Sequence, residues 1–298
     1  MWKIFAAIAL LIGGLVAGAA LSAFFSPVRT AMYDLKRETR LALGLPKIWV
    51  RAPTPDPSGR QGVPCPAPGE ALVIVSGGQS NAANSNSALD ATTPDERVMT
   101  WFDGACYATE DPVLGATSLG GSLWPAFGRA LVAESGRPVL FLHTAVGGTQ
   151  VVDWLAEESG YLNSLRTRVE GLRAAGHEPD WILWHQGETD ANVIEDGEAF
   201  RAALTDLSGQ LLEIAPKARM YMFRASRCIG SKRENGVAMI RDAQTAVAEA
   251  NPRIEAGMNT DELGPDFRRD GCHFNSMGRR EVVARAAPDL LKLHRRAD

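Results

Sequence analysis

From Glu70 onward, apolar runs of strand length alternate with segments whose apolar residues recur at helical spacing, and this alternation restricts the chain to few architectures. Strand-length runs fall at 71–76, 98–102, 139–144, 181–185 and 220–225, with a weaker one at 254–258. Helical patterns occupy 124–134, 162–175, 198–214 and 237–250, and 277–294 closes the chain. Strands and helices in this order predict an α/β fold with a mostly parallel central sheet and helices on both faces. Ligands of such sheets sit beyond the carboxyl ends of the strands, so the residues that follow each strand are where chemistry is sought.

The N-terminal third is organised differently. Residues 4–25 carry no charge, a run longer than the apolar region of a signal peptide and long enough to cross a bilayer as a helix. Residues 1–26 read as an N-terminal signal anchor, or as a cleaved signal peptide ending near Ala17-Gly18-Ala19. Residues 27–69 follow as a juxtamembrane segment and a Pro-rich tether, with prolines at 53, 55, 57, 64, 66 and 68 favouring extended backbone. Residues 70–298 form the catalytic domain. Arg29, Lys36, Arg37 and Arg40 outnumber Lys3 across the apolar run, a bias that places the domain in the cytoplasm.

Cysteine usage argues the other way. Cys65, Cys106, Cys228 and Cys272 are an even set, compatible with two disulfides in an oxidising compartment, and Cys228–Cys272 is the expected pair. On that reading the domain is membrane-anchored or secreted and extracytoplasmic. The spacings contain no C-x-x-C, so zinc is not suggested. A net charge of −4 provides no basic field for a polyphosphate, which excludes nucleic acid as an expected partner. A small neutral or sugar-like molecule fits better.

Four polar groups follow the predicted strands. The first runs into Gly77-Gly78-Gln79-Ser80-Asn81, where glycines allow a sharp reversal and a serine opening a helix faces backbone donors. The third ends in Gly147-Gly148-Thr149, a pair that can bring a bare N–H near a substrate oxygen. The fourth ends in His185-Gln186-Gly187-Glu188-Thr189-Asp190; an amide at Gln186 can donate to an oxyanion or tie loop backbone together. Near the C-terminus, Asp270 precedes His273 by three residues, so one turn lets the carboxylate hold one ring nitrogen while the other accepts a hydroxyl proton. Serine, histidine and carboxylate together supply an activated nucleophile.

Gly78-Gln79-Ser80-Asn81, Gly147-Gly148-Thr149 with Trp154, Gln186-Gly187-Glu188 with Asp190, and Asp270 with His273 occur in this order from about residue 70 to the end. In this the chain resembles the SGNH hydrolase superfamily, within it the sialate O-acetylesterase and acetylxylan esterase-like branch. The resemblance implies a flavodoxin-like three-layer α/β/α sandwich and a serine esterase removing acetyl or other small acyl groups from carbohydrate, without metal or organic cofactor. It makes Ser80 the nucleophile, His273 the base and Asp270 its orienting acid. Ser80, Gly147, Gly148 and Gln186 then supply the oxyanion hole. Gln79, Asn81, Trp154, His185 and Glu188 are candidate substrate contacts, although a tryptophan commonly packs in a core and His185 could lie beneath the loop. Residues 82–86 depart from the branch in lacking the Met and Gly that often follow the serine. Two rivals share these residues: a membrane-tethered carbohydrate O-acyltransferase, and a carbohydrate-binding protein without turnover.

Overall fold

The computed structural model describes residues 53–193, 196–228 and 234–297. The predicted N-terminal anchor and most of the juxtamembrane segment lie outside these residues, and among the described ones no helix is long and apolar enough to cross a membrane.

Eight strands form one sheet among the described residues: β1 (Gly62–Val63), β2 (Leu72–Gly78), β3 (Val98–Phe102), β4 (Ala105–Ala108), β5 (Val139–His143), β6 (Trp181–His185), β7 (Arg219–Arg224) and β8 (Ile254–Asn259). Their order is β1-β4-β3-β5-β2-β6-β7-β8. The six strands from β3 to β8 in that order are parallel, and β4 and β1 add an antiparallel edge. Helices α1 (Trp124–Ser135), α2 (Val151–Leu155), α3 (Tyr161–Ala174), α4 (Glu188–Val193), α5 (Gly197–Ile214), α6 (Glu234–Ala250) and α7 (Ser276–Ala297) make the outer layers.

The central strand shows why a parallel sheet suits this sequence. Every residue of β2 is buried. Val73 and Val75 point into a core with Leu165, Val169, Leu207, Leu211 and Ile240 from α3, α5 and α6. Leu72 and Ile74 point the other way, against Phe127 and Leu131 of α1 and Val282, Ala286 and Leu290 of α7. Successive side chains alternate between faces, so a strand covered on both sides is apolar throughout.

The Pro-rich stretch is not a free tether over its described part. Residues 62–63 pair with Cys106 and Tyr107 of β4, and Cys65 is disulfide-bonded to Cys106. Arg60 donates to the carbonyls of Glu110 and Pro112, and Pro53 accepts the Ser118 N–H. The prolines flank a paired segment too short to need their missing donors, which is how an edge strand tolerates them.

Near its carboxyl end β2 must pass close to β6. Gly78 has φ +115°, and a Cβ there would lie 2.1 Å from the His185 carbonyl oxygen. We expect Gly78→Ala to lose more than about 3 kcal/mol of stability in a urea titration, because strained backbone and a clash with backbone act together.

Candidate active site

Strands β5, β2 and β6 are adjacent at the centre of the sheet, and the chain leaves β2 toward β3 and β5 on one side but returns as β6 on the other. Their carboxyl ends therefore open on a switch point, the position where such sheets bind ligands. Ser80 follows β2, Gly147 and Gly148 follow β5, and Gln186 follows β6.

Ser80 sits on a turn and not at the start of the expected helix. Ala82 and Ala83 both donate to the Gln79 carbonyl, and the chain then swings away. Asn84 causes the departure: its side chain bridges Val113 and Ala116 of a distant loop and its N–H donates to Thr117. These long-range bonds override the local start of a helix, so no helix dipole acts on Ser80.

Beneath the turn lies a buried carboxylate. Glu188, 1% exposed, accepts Gln79 Nε2 at 2.6 Å and Asn81 Nδ2 at 2.7 Å, one on each oxygen. His185 Nδ1 lies 3.4 Å from the same Glu188 and its Nε2 meets the Thr260 hydroxyl at 3.2 Å. Burial pushes the His185 pKa down, favouring the neutral ring.

Asn81 carries this order to the histidine loop. Its Nδ2 also donates to the Cys272 carbonyl at 3.2 Å, and its Oδ1 accepts the Phe274 N–H at 3.1 Å. The residue after Ser80 thus grips the backbone on both sides of His273. Within the loop, Asp270 Oδ1 accepts the N–H groups of Cys272 and His273 at 3.1 and 2.8 Å, and its Oδ2 meets His273 Nδ1 at 2.8 Å. Burial would raise the Asp270 pKa, but the bonds from His273 and the two backbone donors overcome it and hold the group well below the ordinary carboxylate range. Cys272 is disulfide-bonded to Cys228, which fastens the same loop to the end of β7.

Arg268 is a member of this assembly that the sequence reading did not single out. Only 6% exposed, it donates to the carbonyls of Leu263, Arg227, Cys272 and Thr260 and stacks over Phe274 with 4.8 Å to the ring centre. No motif marks it, because all four partners are backbone oxygens brought together by the fold.

The candidate donors differ in availability. Among the described residues, neither the Ser80 nor the Gly148 N–H makes a hydrogen bond, and Gly148 has φ +75° in an exposed turn. The Gly147 N–H donates to Thr117 Oγ1 at 2.8 Å. Gln186 Nε2 is directed to Thr149 O at 3.1 Å and its Oε1 accepts Trp184 Nε1. Gln186 thus ties loop backbone, the plainer of its two expected roles.

The five candidate substrate contacts need correction. Gln79, Asn81, Trp154, His185 and Glu188 are each no more than 1% exposed, so none presents surface to a ligand. Trp154 packs edge-on against Trp184 and donates to Thr149 Oγ1. The others form the network under Ser80, where their polarity serves one another. A sequence shows polar residues after a strand but not whether the loop folds over them.

Asp190 lies in the same layer, fully buried, with Oδ1 accepting the Val151 N–H and Oδ2 without a partner among the described residues. Burial, reinforced by Asp153 and Glu188 nearby, pushes its pKa up to about 7.

A parallel α/β/α sheet with serine, glycine turn and Asp–His loop gathered at its central carboxyl ends is the arrangement of an SGNH hydrolase, and the chain is a carboxylic ester hydrolase of the acetylesterase kind. It belongs to the carbohydrate esterase family of sialic acid-specific acetylesterases, whose model matches residues 70–292. The fold is similar to that of an Arabidopsis thaliana protein, with 18% identity and TM-score 0.62 over 74% of this chain and 98% of that one. It is also similar to NanS, with 16% identity and TM-score 0.51 over 78% of this chain and 100% of that one. No curated protein sequence matches the chain.

Two outcomes are expected. Asn81→Ala frees the backbone around His273, so kcat falls by about 10- to 100-fold with KM little changed in steady-state ester hydrolysis, as a displacement near 1 Å would cause. For Asp190, the native state keeps a proton between about pH 3.9 and 7 that the unfolded chain has lost, so stability falls as pH rises through that window, by up to roughly 4 kcal/mol. Asp190→Asn should match wild type in denaturant midpoint at pH 4 and exceed it increasingly from pH 5 to 8.

Proposed function

We propose that the protein removes acetyl groups from carbohydrate hydroxyls through an acyl-enzyme on Ser80, with His273 as general base and Asp270 orienting it. The observation that carries this reading is the grip of Asn81 on both sides of His273, since it ties the base to the residue beside the nucleophile. His273 gives Nδ1 to Asp270, which leaves Nε2 for the serine proton. Asp270 stays ionised below the ordinary carboxylate range and stabilises the imidazolium that forms.

In the first half-reaction, Ser80 Oγ attacks the ester carbonyl as His273 takes its proton. The negative charge that develops on the carbonyl oxygen is met by the N–H groups of Ser80 and Gly148, the two donors without other partners. Gly147 and Gln186, expected beside them, instead hold the turn, one through Thr117 and the other through Thr149. Collapse expels the sugar hydroxyl, which receives the proton from His273. Water then attacks the acyl-enzyme with the same histidine as base, releasing the acid and restoring Ser80.

The disulfides Cys65–Cys106 and Cys228–Cys272 support placing the domain outside the cytoplasm, with the 4–25 run as its anchor or as a cleaved leader. A C-terminal reporter active only outside the cytoplasm tests this, and its silence would return the domain to the side that the flanking charges favour.

Release of acetate from O-acetylated sialic acid and from acetylated xylan oligosaccharides, followed by NMR, tests the activity. We expect Ser80→Ala and His273→Ala each to lower kcat by at least about 10⁴-fold while retaining the wild-type melting transition. A Ser80→Ala variant as active as wild type would rule the mechanism out.

A further inference from the structure

Gly147 is a glycine for which the backbone gives no reason. Its φ lies outside the left-handed region, and a Cβ built on it would meet nothing closer than 3.6 Å. Alanine would fit without strain. Nor does its N–H face a ligand, since that donor is engaged by Thr117 Oγ1.

What the missing side chain leaves is a hollow beside the nucleophile. The three atoms nearest to its centre are Thr117 Oγ1 at 3.6 Å, Ser80 Cβ at 3.7 Å and Ser85 Oγ at 3.7 Å, which are ordinary contact distances for one carbon atom. An ester linkage is planar and extended like a peptide, in which the carbons on either side are about 3.8 Å apart. In an acetyl ester of Ser80, those two carbons are Ser80 Cβ and the acetyl methyl. The methyl therefore falls at the distance from Ser80 Cβ at which the hollow lies.

Resting on the proposed role of Ser80 as nucleophile, we infer that the hollow at Gly147, bounded by Thr117 and Ser85, receives the methyl of the acyl group and makes the enzyme selective for acetyl esters. The boundary is held in place. Thr117, 6% exposed, is fixed by the Gly147 N–H, and Ser85 Oγ donates to Ser118 Oγ at 3.1 Å. A formyl group places only hydrogen in the hollow and leaves it unfilled. A propionyl group brings a second carbon against the Thr117 and Ser85 oxygens, which must give way. Ser85 belongs to the segment in which this chain departs from its relatives, so the limit on acyl length is set by this sequence.

The test compares formyl, acetyl and propionyl esters of one phenol on wild type, Ser80→Ala, Gly147→Ala and Ser85→Ala. Gly147→Ala puts the enzyme's own methyl where the substrate's belongs, so the ratio of formyl to acetyl kcat/KM should rise by at least about 30-fold. Ser85→Ala opens the boundary and should raise the propionyl to acetyl ratio by about 10-fold. Unchanged ratios in both variants, with Ser80→Ala inactive, overturn the hollow and leave the nucleophile standing. Wild-type turnover by Ser80→Ala overturns the nucleophile itself. Should Gly147→Ala fail to fold, Ser85→Ala reads the same hollow from its other side, and no gain with propionyl refutes the inference.

Discussion

The active site depends on one carboxylate that never meets substrate. Glu188 is buried under the turn that carries Ser80 and divides its two oxygens between Gln79 and Asn81, the residues on either side of the nucleophile. A charge out of water is tolerated only where hydrogen bonds replace its hydration, and here those bonds also set the orientation of two amides. With one Asn81 hydrogen directed to Glu188, the other is aimed at Cys272 and the carbonyl oxygen at Phe274. The position of the base therefore follows from the ionisation of a group one layer below it.

The histidine loop is secured from its other side by quite different chemistry. Arg268 gathers four backbone carbonyls that no secondary structure would satisfy, and the Cys228–Cys272 bond fastens the same stretch covalently. Loops carry catalytic residues because they can be shaped freely, but the freedom must be removed for the geometry to hold. Asp270 completes the restraint by binding both the ring and the backbone of His273, so the ring is fixed by its own main chain as well as by its partner.

How much of this was legible in the sequence varied with the range of the forces involved. The parallel strands were readable to within about two residues, because residues such as Val73 and Leu72 must both be apolar when helices cover both faces. The hairpin between β3 and β4 was overlooked although Asp103-Gly104 signals it; both residues have positive φ, as a tight two-residue turn requires. Strand β1 carries no such signal, being two residues among prolines whose pairing accompanies the Cys65–Cys106 bond. The Ser80, Asp270 and His273 group was readable because few residue types perform that chemistry and their order is distinctive. The division of labour between Gly147 and Gly148 was not, since it turns on one dihedral angle and one bond to Thr117. Burial of Gln79, Asn81 and Glu188 was hidden for a similar reason: polarity is visible in a sequence, but the lid of loop above it is not.

The contacts that flank His273 join residues 191 and 193 positions apart. Closing a loop of that length has an entropic cost that no local structure offsets, so such contacts form late, when the rest of the sheet already stands. A nascent chain that has completed β2, β5 and β6 holds Ser80 and its glycine turn but has no base. The protein is therefore chemically silent while it is being made, and the onset of turnover marks the docking of its last thirty residues, which makes the reaction itself a clock for the end of folding.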